Sequence, residues 1–236
     1  MSAFRRMVAV GGGFGMLAIA LAGTSAGVVK SASAAGGLGC AGTNPGPKPG
    51  AAQVLASHFR GLSASESFSS VAGNTQTSVG VDVLQESLAL AGSGSAAVTA
   101  VFVTITVTDL TTGIDSVEAS GCVPTSNFQM DQTLTSATLG ATSVPVTDGL
   151  SGLTSIATVA GEWTGFGALT RQTNTSHFHA GSFTSSFNFI GFDRLATANG
   201  TASDSDLNVS FDGAADFAEL DKVEAGGVTV CLKGAC

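Results

Sequence analysis

The chain has no tyrosine, one tryptophan and five prolines in 236 residues, and only 11% of its residues are charged. Each shortage removes something. One Trp and no Tyr are a poor supply of aromatic faces for stacking sugars, so Trp163, even with Phe166 nearby, reads as a core residue of a sheet. Nine Lys and Arg against 17 Asp and Glu give a formal net charge of −8, and an acidic surface repels phosphate backbones, which argues against nucleic-acid partners. With three histidines and no helical framework, a Ser-His-Asp triad is a poor expectation. No phosphate-binding Gly-Lys-Ser/Thr loop and no dinucleotide fingerprint in a βαβ setting is present. Beyond the N-terminal region no apolar run approaches the ~20 residues that span a bilayer.

What is present begins with a leader pattern. Arg5 and Arg6 precede the apolar, Gly- and Ala-rich stretch Met7–Ala22, and Ala32-Ser33-Ala34 supplies small residues for cleavage. Residues 1–34 therefore read as a secretory signal peptide, by the general route, since the residues flanking the two arginines fit a twin-arginine address poorly. The single Gly-x-Ser-x-Gly match, Gly23-Thr-Ser-Ala-Gly27, falls in this segment and not on a strand-to-helix elbow. Residues 35–56 read as a linker, because Asn44-Pro-Gly-Pro-Lys-Pro-Gly50 resists both helix and sheet. Residues 57–236 are long enough for one β domain with its own core. No Leu-Pro-x-Thr-Gly signal and no apolar tail argue for covalent wall anchoring.

Four cysteines, Cys40, Cys122, Cys231 and Cys236, fit two disulfides in an exported chain, with three possible pairings. Cys40–Cys122 and Cys231–Cys236 are preferred. The first would pin the linker to the domain and the second would staple the C-terminal end. The spacing does not fit a zinc site, which needs closer Cys pairs or well-placed His partners. Leu38-Gly39-Cys40 is a faint lipoprotein box whose apolar stretch ends too far upstream.

The strongest structural signal is residues 97–109. Val101, Val103, Ile105 and Val107 point one way and Phe102, Thr104, Thr106 and Thr108 the other, the period of a strand. The turn Asp109–Gly113 follows, then a second strand from Ile114. The segment Ile105–Val117 returns as Val144–Ile156, with Val, Thr, Asp, Gly and Ser identical at matching places. One hairpin is used twice. Further strands are expected over 62–71, around Val79–Val83, through Phe128–Leu139 with a bulge near Thr135 or Ser136, at Trp163–Leu169, through Phe183–Phe189, at Leu207–Phe211 and at Val228–Cys231, with Pro145 at an edge or beside a bulge. Short helices are conceivable only at Ala51–Arg60 and Ala214–Val223. The sum is all-β: an antiparallel β-sandwich of about ten strands with a duplicated hairpin, an up-and-down β-barrel being the alternative.

Four stretches, Ser63–Val71, Leu134–Thr142, Trp163–Arg171 and Arg194–Thr201, together resemble a group of exported bacterial β-rich proteins of unknown function. The resemblance implies export and a β fold, and brings no catalytic residues.

Two constellations carry candidate chemistry. His177 and His179 flank Phe178, and in a strand both imidazoles leave from one face, close enough to share a divalent metal if His58 or an acid supplies a third ligand; the plainer reading is a solvent face with Phe178 turned to the core. Asp204, Asp206 and Asn208 alternate like the opening of a calcium loop, but Val209 stands where a glycine is required and Ala215 where a bidentate Glu is required, which excludes an EF-hand and leaves an irregular calcium site against a solvated strand face. The Phe-rich segment 178–192 reads as core before it reads as the lining of an apolar cavity. The expected function is accordingly that of an exported, non-enzymatic protein of the cell surface or medium, binding or structural, with no cofactor. The alternative is a metal-dependent module, binding or hydrolytic, holding calcium or zinc at His177 and His179 or at the acidic loop.

Overall fold

The computed structural model describes Cys40 and residues 54–90, 94–180 and 183–232. These form eleven strands: β1 (Val54–Ala72), β2 (Thr75–Leu90), β3 (Gly94–Asp109), β4 (Ile114–Pro124), β5 (Phe128–Met130), β6 (Ser136–Asp148), β7 (Thr154–Gly165), β8 (Thr170–Ala180), β9 (Phe183–Asp204), β10 (Val209–Ala214) and β11 (Phe217–Leu232). The N-terminal segment and most of the linker lie outside the described residues. β1 takes up the last three residues assigned to the linker.

All strands pair antiparallel in one sheet, and the two walls expected of a sandwich are parts of one continuous ladder. The order runs β10-β9-β11-β1-β2-β3-β4-β6-β5, while β7 joins β6 to β9 and β8 lies on β9. The ladder thus returns on itself through eight strands, β1-β2-β3-β4-β6-β7-β9-β11, without being an even barrel. Two features make it uneven. β9 is shared: residues 183–195 lie between β8 and β11, residues 196–204 between β7 and β10. The seam between β4 and β6 is two pairs long, Ala119↔Asp148 and Ser120↔Thr147. It stops where Pro145, with no N–H to give, meets Gly121, whose missing side chain admits the Pro145 carbonyl. At the opposite end β8, β9, β11, β1, β2 and β3 run on together as an open ribbon.

Period-two alternation decides what fills the ring. Val101, Val103 and Ile105 are at most 1% exposed, as are Val79, Val81 and Val83 across from them on β2. Trp163 from β7 is the largest side chain in this core and is also 1% exposed, so the sugar-stacking reading gives way to the core reading. Its indole lies over Gly161, where a Cβ would stand 2.7 Å from Cη2. In the ribbon the buried side changes: Leu84 and Leu88 are buried at even positions of β2, on the face opposite to Val81 and Val83. On that outer face Phe59, Phe187 and Phe189 stack with centroids 6.4 Å apart, while Phe192 packs against the ring's core and Phe178 is exposed. The described phenylalanines of the segment are thus divided between the outer stack, the ring's core and solvent.

The duplicated hairpin is present down to its turns. Asp109 Oδ1 accepts from the N–H of Thr111 and Thr112, and its carbonyl from Gly113, which takes a φ of 68°. Thirty-nine positions on, Asp148 accepts from the N–H of Leu150 and Ser151, and its carbonyl from Gly152 at φ 75°. The two segments where a short helix is conceivable are strands in their described residues, β1 from Val54 and β11 from Phe217. Residues 57–60 are held between β2 and β11, and Ala218 and Leu220 point into the core while Glu219 and Asp221 point out, so ladder partners on both sides override a weak helical preference. The expected bulge near Thr135 is instead a turn, Asp131–Leu134, with Leu134 at φ 57°, and the ladder slips later, between Leu139 and Thr142.

Candidate functional site

The middle of β1 carries acidic chemistry on both faces of the sheet. Leu62, Ala64, Glu66 and Phe68 form its inward row, and Ser63 and Ser65 its outward row.

Glu66 is 2% exposed inside the ring. It points at the far wall, where Gly161 of β7 and Gly200 of β9 are direct cross-strand partners. A Cβ on either glycine would come within 2.8 Å of Oε1, so the carboxyl occupies the room that two side chains would need. Neither carboxyl oxygen has a hydrogen-bond partner. Burial disfavours the charged form and pushes the pKa to about 8, so the group keeps its proton at neutral pH. Beside it, Trp163 Nε1 donates to the Ser65 carbonyl at 3.0 Å.

On the outer face the register assembles a second group. Ser65 lies directly across from Asp82 on β2 and from Glu219 on β11. Ser63 lies across from Asp221, and Asp221 from Asp193 on β9. Directly opposed residues have Cβ atoms about 5 Å apart, so four carboxylates and two hydroxyls share two neighbouring rows. Ser63 Oγ donates to Asp221 Oδ2 at 3.4 Å, and Gln172 Nε2 to Asp193 Oδ1 at 2.8 Å. Ser65 Oγ, in a residue 9% exposed, bonds to neither flanking carboxylate and has no partner. Burial, then the charges of Glu219 and Asp193, push Asp221 up to about 7; burial pushes Asp82 up to about 6; burial and Asp193 raise Glu219. None of the four is in an ion pair with a described cation; Lys222, the cation nearest in sequence to Asp221, pairs with Glu224 at 3.0 Å.

The residues singled out by sequence lie elsewhere. His177 and His179 sit on one face of β8, exposed, with β9 on one side. His58 is on β1, three strand spacings away, roughly 14 Å, so the fold does not bring it to them. Asp204 is 1% exposed and committed to a turn: Oδ2 accepts from Ser155 Oγ, and Oδ1 from the N–H of Asp206 and Leu207. Asp206 and Asn208 are exposed, and Asn208 closes the turn at φ 54°. The alternation that resembles a calcium loop is therefore an Asp-led turn related to those of the duplicated hairpin, with Asn in the glycine's place and its N–H donating to the Ser205 carbonyl instead of the Asp carbonyl. An open, shallow cavity of about 450 Å³ lies beside it, lined by Ile156, Thr158, Asp204 and Asn208 among others. Among the described residues, no three His, Cys, Asp or Glu side chains are placed to hold one metal ion. Cys40 and Cys122 are bonded to each other, and the bond lies on the outer face, since Cys122 is the cross-strand partner of Phe102. The side chain of Cys231 and all of Cys236 lie outside the described residues.

Sequence reading passed over Glu66, Asp82, Asp193 and Asp221, and took Glu219 only as one of the acids that follow the Asp204–Asn208 stretch. The available signal was an acid set between apolar neighbours of a strand, as in Val81-Asp82-Val83 and Ala218-Glu219-Leu220. The sequence matches no family model, no curated protein and no solved structure. Fold and site together define a class: an antiparallel β protein whose sheet closes through eight strands and carries an acidic patch on its outer face.

Proposed function

We propose that this chain is an exported, non-enzymatic protein of the cell surface or medium that acts by binding or as a structural part of the envelope. The Cys40–Cys122 bond, across a separation of 82 residues, carries the reading. Such bonds persist in oxidising compartments and are rare in the cytosol. The leader pattern of residues 1–34 and the resemblance to exported bacterial β-rich proteins point the same way. A binding role is favoured over a catalytic one because Ser63 and Ser65 have carboxylates and no imidazole among their cross-strand neighbours, an arrangement for holding a ligand rather than for activating a nucleophile.

The test is native mass spectrometry, without reduction, of the full chain expressed in a bacterial host and recovered separately from cytosol, periplasm and medium. The reading expects an exported species that starts at residue 35, lacks the thiol hydrogens and carries no adduct. Uncleaved cytosolic chain with alkylatable Cys40 and Cys122 would overturn it. A zinc or calcium mass that disappears on replacing His177 and His179, or Asp204 and Asp206, would put the metal-dependent module in its place.

A further inference from the structure

We propose that the outer patch of Asp82, Asp193, Glu219 and Asp221, with Ser63 and Ser65, is a binding site for an extended organic cation, a linear polyammonium ion. The proposal rests on the reading of the protein as a binding module and names what it binds.

Charge is the first ground. Four carboxylates on three strands, β2, β9 and β11, gather around the serines of a fourth, β1, and none has a cationic partner among the described residues. Mutual repulsion in a half-dry site is unfavourable, and a bound cation removes it. The second ground is independent of charge. Ser65 Oγ is about nine-tenths buried, lies between Glu219 and Asp82, and bonds to neither. A hydroxyl beside a carboxylate ordinarily donates to it, and buried polar atoms are almost always paired. An ammonium group lodged between Glu219 and Asp82 would give three donors to this cluster, one of them to Ser65 Oγ.

Spacing selects the kind of cation. No three carboxylates converge as they would on a single metal ion. From β9 to β2 the patch spans three strand spacings, roughly 14 Å, which matches a chain with positive centres several ångströms apart. Asp82, Asp193 and Glu219 are only half-buried and leave the patch open to solvent, whereas Asp221 and Ser63 form its floor. Since the carboxyls hold protons more tightly than free carboxyls do, binding releases protons and is tighter at pH 8 than at pH 6.

The experiment is isothermal titration of the unreduced full chain with spermidine at low salt, at pH 6 and pH 8, alongside calcium chloride. Saturable spermidine binding is expected, tighter at pH 8 and weakened by salt. It should fall about ten-fold or more in Asp221→Asn and in Asp82→Asn, less in Ser65→Ala, and not at all in Asp206→Asn. The asparagine variants remove a repelled buried charge, so their melting temperatures should not fall; Ser65→Ala, which deletes one oxygen, provides the reading if either fails to fold. No saturable heat with spermidine would overturn the proposal, as would binding indifferent to Asp221 and Asp82, or calcium binding with the same dependence on them. The cleavage and disulfide masses are read separately, so loss of this proposal leaves the assignment as an exported protein to stand or fall by its own test.

Discussion

Glu66 holds a carboxyl against two facing glycines, with neither oxygen bonded. Such a group costs least when neutral, and its folded pKa of about 8 lies above the ordinary 4.5. Between those values the unfolded chain releases a proton that the folded chain keeps, so stability falls as pH rises through the window and levels off above about 8. The loss attributable to this one residue is on the order of 3–5 kcal/mol. Asp82 and Asp221 tilt the protein the same way, so the clean observable is a difference. Urea unfolding at pH 5 and pH 8.5 should show a steep loss in the wild type and a shallower one in Glu66→Gln. Equal slopes would mean that Glu66 is charged or paired when folded. This residue was passed over because its strand, Ser63-Ala-Ser-Glu-Ser-Phe-Ser, is mostly serine and reads as polar as a whole. Alternation marks Leu62, Ala64 and Phe68 as the inward row, which places Glu66 inside, but nothing local shows that two glycines face it.

Elements were far more legible than sites. The β3–β4 and β6–β7 hairpins could be read because an Asp four residues before a Gly sets the same turn twice, with β-branched alternation on each side. Gly113 and Gly152 adopt left-handed backbone that other residues reach only with strain. Gly113→Ala and Gly152→Ala should each lower stability by about 1 kcal/mol in chemical denaturation. Gly121→Ala should cost more, since its Cβ would strike the Pro145 carbonyl at the β4–β6 seam. If all three variants cost the same, the seam is looser than the backbone spacing indicates. The outer patch could not be read in this way. Asp82, Asp193 and Asp221 are far apart in the chain and become neighbours because β9, β11, β1 and β2 lie side by side, an order set by pairing and not by any one strand's pattern.

For the whole molecule, closure depends on its shortest contact. Seven of the eight junctions around the ring are long ladders, while β4 and β6 share two pairs. The Cys40–Cys122 bond attaches two residues past Ser120, the last seam residue on β4, so it tethers the chain beside the place where the ring has least to hold it. Closing a loop of this length restricts the unfolded chain, and reduction should cost about 2–5 kcal/mol. The cost should not be spread evenly, because a short ladder opens before a long one. Hydrogen exchange compared between the oxidised protein and Cys122→Ala should show faster exchange at residues 119–123 and 146–148, with Val81, Val103 and Val159 in the long ladders nearly unchanged. Uniform acceleration would instead make the crosslink a global staple acting through the unfolded state alone. The distinction bears on the patch: Cys122 is on the outer face, in the row that carries Asp82 and Phe102. A ring that opens at the seam when reduced would shift that row, so spermidine affinity should drop in Cys122→Ala if the carboxylates owe their placement to a closed sheet.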